Sequence, residues 1–288
     1  MRTVSFIFLI IFLSFEFTLF SQRSNNQFKT NDKGVMFGYV GYNRSVYSKS
    51  SIHFASTNYD FSLNNVSLSD NPESISAGKY FDPIGVEYFQ FNAHIGFYIF
   101  NKWALTLGVD KLNMFMDDGQ HVNISGTFAP NAHNDFEGEY NNEIITPTRE
   151  QIYYRQHEGV NYIRIGVQRT DQLYKSRKNE FAFNTNIGLG LGPIFSNSDY
   201  TFDNFTRQQA SGVSGYGISA HAGLRFDFFK HIFFQTTLSG GMLNQRNIAL
   251  SSNSPEEAKH LTGYFSPEIA IGFSFLVKES DCGTCPGW

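Results

Sequence analysis

From Phe89 to Ile99 every second residue is apolar: Phe89, Phe91, Ala93, Ile95, Phe97 and Ile99, with Gln90, Asn92, His94, Gly96 and Tyr98 between them. After Asn101-Lys102 the alternation resumes as Trp103, Leu105, Leu107 and Val109. Side chains of a strand point to opposite faces in turn, so residues 86–110 predict a hairpin with one apolar and one polar face. The same period recurs. Residues 162–174 and 180–195 form a second pair, 216–229 and 232–243 a third, and 264–278 a last strand. A first strand over Gly34–Tyr47 alternates less regularly, with Met36, Val40 and Tyr42 on one face and Phe37 and Tyr39 on the other.

The connections between these strands come in two kinds. Asn101-Lys102, Lys175 to Asn179 and Lys230-His231 are tight; residues 48–85, 117–158, 196–212 and 244–262 are long and polar. Eight strands of roughly 10–15 residues, with tight turns at one rim and long loops at the other, predict an all-β fold. The expectation is a closed antiparallel transmembrane β-barrel over 34–278, with long extracellular loops and short periplasmic turns. A piece over Asn58–Leu68 also reads as strand, which leaves ten strands open as an alternative. Trp103, Phe100, Phe181, Phe228, Phe229 and Phe275 fall near the tight turns and are expected to form one aromatic girdle; Tyr162, Tyr216 and Tyr264 are candidates for the other.

Composition narrows the class further. Aromatic residues make up 17% of the 288, with 31 Phe and 15 Tyr, while no internal run of about 20 apolar residues exists for a spanning helix. A barrel hides its apolar band in alternation, and this balance fits it. The net charge of -4, with no basic stripe, argues against a nucleic-acid partner. At the N-terminus, Arg2 precedes an apolar run from Val4 to Phe20, and Ser21 is small. Residues 1–21 therefore read as a signal peptide and 22–33 as a periplasmic lead.

Candidate chemistry lies mainly on the polar faces. His94, Asp110, Arg164, His221, Arg225, Asp227 and Glu268 all fall on the inward phase, where charges must pair. An internal polar network that holds the barrel together is the expectation. Ser219 and His221 share a face two residues apart, the minimum for a lipid-trimming hydrolase, but the phase points them away from lipid. Catalysis, cofactors and metal sites are not expected. The run Gly188-Leu-Gly-Leu-Gly192 reads as barrel interior rather than a nucleotide loop, and Asp135-Phe-Glu-Gly-Glu139 as solvated surface. Cys282 and Cys285, in a tail over 279–288, are candidates for a small-loop disulfide.

Taken together, the run Phe100-Asn-Lys-Trp-Ala-Leu-Thr-Leu-Gly-Val-Asp110 and the run Gly223-Leu-Arg-Phe-Asp-Phe-Phe-Lys230, with their strands and turns, resemble OmpA-type outer-membrane barrels. They are similar to uncharacterised barrels of Bacteroidota. The resemblance covers about 34–278 and is architectural, so it carries no catalytic residue. It implies a bacterial outer-membrane protein in contact with lipid and lipopolysaccharide. A structural or interaction role is expected, as accessory subunit of a larger complex, with a membrane or periplasmic partner met through the loops or tail. A lipid-modifying enzyme and a narrow pore are the alternatives.

Overall fold

The computed structural model describes residues 29–70, 90–178, 180–250 and 256–277. The expected signal peptide, most of the lead, and the tail with Cys282 and Cys285 lie outside them. Among the described residues fifteen strands form one antiparallel sheet: β1 Val35–Asn43, β2 Val46–Tyr47, β3 Ser50–Ala55, β4 Tyr59–Val66, β5 Leu68–Ser69, β6 Phe91–Phe100, β7 Trp103–Leu112, β8 Phe115–Met116, β9 Val122–Phe128, β10 Gly138–Ile145, β11 Ile152–Lys175, β12 Phe181–Phe202, β13 Phe205–Phe228, β14 Ile232–Ala249 and β15 Glu257–Leu276.

Eight of them form a ring in the order β1-β6-β7-β11-β12-β13-β14-β15, and β1 pairs with β15 as well as β6. Tyr39, for example, faces His94 of β6 on one side and Gly272 of β15 on the other. The ring therefore has no free edge at that height, and every strand finds backbone partners on both sides.

The ring strands are taller than their apolar alternation suggests. Residues 196–212, expected as a loop, continue β12 and β13 up to a two-residue turn at Asp203-Asn204, both with positive φ. Likewise β14 runs on to Ala249, β15 starts at Glu257 and β11 at Ile152. The expected loops 48–85 and 117–158 hold β3, β4, β9 and β10, which extend the sheet from β15 in that order. Asn58–Leu68 thus joins this upper extension and adds no strand to the ring.

Polarity inverts between the two storeys. In the lower ring the apolar rows face outward: Leu189, Ile218 and Ile271 are each more than half exposed, while the inward rows are polar or small. Above, the inward rows become apolar. On β12 the inward sequence is Asn184, Asn186, Gly188, Gly190 and Gly192, then Ile194, Ser196 and Ser198, and Tyr200 and Phe202 at the top. Ile52, Phe54, Tyr59, Phe61, Leu63, Val122, Ile124, Phe128, Tyr154, Tyr200 and Phe202 share one buried core there. Its rings stack closely, with centroids 4.9 Å apart for Phe54–Tyr200 and 4.7 Å for Phe61–Phe128.

Two of the expected girdle residues sit elsewhere. Tyr162 and Tyr264 are buried in the interior, because their position in the alternation is that of Arg164 and Ser266 rather than of the exposed rows; Tyr216 does face outward. At the other rim Trp103, Phe100, Phe228, Phe229 and Phe275 are exposed. The β13–β14 turn also differs by one residue, with the positive-φ pair at Phe229 and Lys230.

Candidate functional site

The interior of the lower ring is where the ionisable residues meet. Its small residues make room for them. A Cβ on Gly108 of β7 would lie 2.1 Å from the His94 ring, and one on Gly190 of β12 would lie 2.5 Å from the Arg164 side chain. Glycine on one strand is therefore the notch that receives a long side chain from another.

Asp110 of β7 is the centre of the first cluster. Its Oδ1 is 2.8 Å from His94 Nε2 and its Oδ2 is 3.2 Å from Arg164 Nε. Arg164 Nη2 is 3.1 Å from the same His94 nitrogen. That nitrogen accepts from Arg164 when the ring proton is on Nδ1, or donates to Asp110 when it is on Nε2. Tyr39 stacks on the His94 ring at 5.1 Å. Asp110 and Arg164 are almost wholly buried, at 3% and 2% exposure, so the pair is shielded from bulk water.

Glu268 of β15 forms a second cluster. Asn92 Nδ2 donates to its Oε2 at 2.6 Å, and Ser239 donates to its Oε1. The third lies nearer the tight turns. Arg225 donates to Asp227 Oδ1 through Nε at 3.0 Å and Nη2 at 2.8 Å, and to Ser274 Oγ at 2.6 Å. Its guanidinium lies 3.6 Å from the centroid of Phe233, a cation–π contact in a desolvated setting. Asp227 Oδ2 accepts from Asn184 and, at 3.0 Å, from Thr30 Oγ1. Thr30 belongs to the segment preceding β1, and its neighbour Asn31 donates to Thr170 O at 2.9 Å. That segment thus folds across the turn-end mouth.

His221 stands apart from the ion pairs. Its Nε2 is 3.3 Å from Gln168 Oε1. Ser219 Oγ is 3.3 Å from the Tyr162 hydroxyl and 3.5 Å from Gly190 O. Among the described residues Ser219 and His221 do not bond to each other, and no carboxylate bonds to the imidazole. The nucleophile–base geometry of a hydrolase is not assembled. Among the described residues no group of three His, Cys, Asp or Glu is arranged to hold a metal ion. Of the loop histidines, His121 Nδ1 pairs with Thr146 Oγ1 at 2.7 Å, and His133 Nε2 with Gln151 O at 3.1 Å.

The upper core was not anticipated. Its signal is present but short: Ile52-x-Phe54, Tyr59-x-Phe61-x-Leu63, Val122-x-Ile124, Ile152-x-Tyr154 and Tyr200-x-Phe202 each alternate for only two or three apolar positions. Polar residues dominate the intervening sequence and hide the period.

No protein-family model matches the chain, and no curated protein matches it in sequence. Solved structures similar to it in shape include the outer membrane protein OprG of Pseudomonas aeruginosa, at 9% identity and a TM-score of 0.38, covering 86% of this chain and 99% of OprG. The outer membrane protease OmpT of Escherichia coli gives 10% identity and a TM-score of 0.39, over 87% and 99% of the two chains. The attachment invasion locus protein Ail of Yersinia pestis gives 10% and 0.35, over 84% and 99%. Likeness at this level decides nothing about the chemistry of the interior.

Proposed function

We propose that this chain is an integral barrel of a bacterial outer membrane, with a sealed lower ring, a packed upper storey and a role in structure or interaction rather than in catalysis. The inversion of polarity with height supports this reading. An exposed apolar belt over a polar interior is costly in water and favourable in lipid, and the upper storey has the opposite arrangement. On β15 the outward apolar row runs from Phe265 to Phe275. That is roughly 33 Å of strand, or about 25 Å along the axis at a typical barrel tilt, which matches a bilayer's apolar band. Ring closure at the belt satisfies the backbone groups that lipid cannot.

The buried Arg164, Arg225, Asp110 and Glu268, together with Tyr39, Tyr162, Phe37 and Phe233, support a packed lumen rather than a conducting one. The aromatic core above them supports a second closure. The tight turns then face the periplasm, with residues 1–21 removed as a signal peptide, and the upper storey stands outside the cell among lipopolysaccharide sugars. The tail with Cys282 and Cys285 lies outside the described residues; in an oxidising periplasm the pair is a candidate for a small-loop disulfide. The upper storey and the tail are the surfaces left for partners.

Shaving intact cells with trypsin tests this reading. Cleavage is expected at Arg149, in the exposed connection between β10 and β11, and not at Arg177 or Lys178 until the membrane is opened. Cutting at Arg177 in sealed cells, or a mature chain that folds and stays dissolved in plain buffer, overturns it. Reconstituted bilayers are expected to show no steady conductance.

A further inference from the structure

Three strands of the upper storey meet at an open cavity of about 290 Å³. β11 brings Tyr153 and Arg155 to it, β12 brings Asp199 and Thr201, and β13 brings Thr206. Strand pairing sets them in two rows. Tyr153 stands opposite Thr201, which stands opposite Thr206; Arg155 stands opposite Asp199. Asn204, in the turn between β12 and β13, completes the polar wall.

The walls are held before anything binds. Asn204 has a left-handed backbone with φ 68°, and its amide donates to Glu150 O at 2.8 Å. The Asp203 amide donates to Gln151 O at 3.1 Å, so the turn is tied to the segment leading into β11. Arg149 Nε is 3.1 Å from Asp118 Oδ2, and its guanidinium carbon lies over the Tyr153 ring, 5.2 Å from the centroid. Arg155 donates to Asp199 Oδ2 through Nε at 2.7 Å and Nη2 at 2.6 Å. The Thr201 and Thr206 hydroxyl oxygens are 2.9 Å apart. A site already ordered loses little further freedom when it is filled.

Charge in the lining balances. Arg149 and Arg155 are matched by Glu150 and Asp199, and Asp118 adds an acid beside Arg149. Nothing here favours an anion. Hydroxyls both donate and accept, a guanidinium only donates, and a carboxylate only accepts. That mixture suits a ligand whose own groups do both. The Tyr153 ring and the aliphatic stem of Arg149 add an apolar patch beside it. A pyranose has this pattern, with C–H bonds on its faces and hydroxyls around its rim. Small-molecule cavities begin at about 300 Å³, so this one suits a single ring.

We propose that this cavity binds one neutral sugar ring. Its C–H face lies against Tyr153 and the Arg149 stem, and its hydroxyls meet Thr201, Thr206, Asn204 and the Arg155–Asp199 pair. The sugar is supplied either by cell-surface polysaccharide or by a free oligosaccharide. The chemistry of the cavity is independent of the membrane reading; only the surface source rests on it.

The test uses the full mature chain folded in a zwitterionic detergent, with folding verified by circular dichroism for each variant. Methyl glycosides of glucose, galactose and mannose are titrated and followed by saturation-transfer NMR, with glucose 6-phosphate as the charged comparison. Thr201→Val/Thr206→Val keeps the shape of both side chains and removes their hydroxyls. Thr127→Val, on the exposed face of β9, is the control. Wild type and the control are expected to bind at least one neutral glycoside equally, and the double variant to bind it roughly tenfold more weakly, as loss of two hydrogen bonds implies. Tyr153→Leu is expected to weaken it several-fold. Lipid-free polysaccharide from the cell surface is then added as competitor. Displacement of the glycoside assigns the surface source, and no displacement assigns a free oligosaccharide; either supports the site. No transfer to any neutral glycoside, equal affinity in the double variant, or glucose 6-phosphate bound tenfold more tightly than the glucoside overturns it. The glycosides are soluble and need no bilayer, so this result is separate from any failure of membrane insertion.

Discussion

Replacing Asp110 with Asn removes one charge from the most crowded part of the lumen while keeping its shape. In the native protein Asp110 lies 2.8 Å from His94 Nε2 and 3.2 Å from Arg164 Nε, and Arg164 is 2% exposed. Without the carboxylate, Arg164 remains a buried cation with no acid at ion-pair distance. Removing one partner of a buried pair costs about 3–5 kcal/mol, far more than the same change at a surface. With a urea slope of about 2 kcal/mol per molar, the unfolding midpoint falls by roughly 1.5–2.5 M. The assay is urea unfolding of the protein in lipid vesicles, followed by tryptophan emission. Asp110→Asn/Arg164→Met is expected to lose less than the sum of its single variants, because the orphaned charge disappears with its partner. A loss below about 1 kcal/mol for Asp110→Asn refutes the reasoning. It would mean that water reaches Arg164 and that the lumen is not packed shut.

Three other outcomes follow from particular contacts. A Cβ on Gly192 would lie 1.9 Å from the backbone oxygen of Ile163, whereas on Gly38 it meets only ordinary contacts at 3.7 Å; Gly192→Ala is expected to cost about 1–3 kcal/mol or more in the same unfolding assay, and Gly38→Ala much less. Phe54 is fully buried in the upper core, so Phe54→Ala is expected to cost about 3–5 kcal/mol and to speed proteolysis between 129 and 150 while leaving the lower ring protected. His260 on β15 lies above the belt, with Nε2 2.9 Å from Ser50 Oγ, and burial holds its pKa down at about 4. It stays neutral in the folded state and protonates more readily when unfolded. Its contribution is therefore complete above the unfolded pKa of about 6.5 and is lost as pH falls toward 4, up to roughly 3 kcal/mol. His260→Gln is expected to flatten that part of the stability–pH curve, and an unchanged slope speaks against a buried neutral imidazole.

Long period-two runs such as Phe89 to Ile99 made the lower ring readable, because one face of each strand is apolar throughout. The inward phase of Arg164, Arg225 and Glu268 followed from the same rows. Which residues pair did not follow, since the Asp110–His94–Arg164 contacts depend on register around a ring and on glycine notches across strands. The upper storey was hidden for a different reason. There polar residues such as Asn197 and Thr201 hold the outward row, so the stretch reads as a loop although backbone pairing continues to Phe202. Tyr162 and Tyr264 show the limit of assigning aromatics to a rim: ring position along the strand matters less than which of two faces the residue occupies.

Quenching by brominated phospholipid measures lipid contact residue by residue. In a Trp103→Phe/Trp288→Phe background, single tryptophans replace Leu189, Ile218 or Ile271 in the outward rows, and Phe202 or Ile144 in the upper storey. Strong quenching at the first three positions and little at the last two is the predicted result. Quenching that is weak everywhere, or equal at Leu189 and Ile144, contradicts a barrel whose exposed apolar rows face acyl chains.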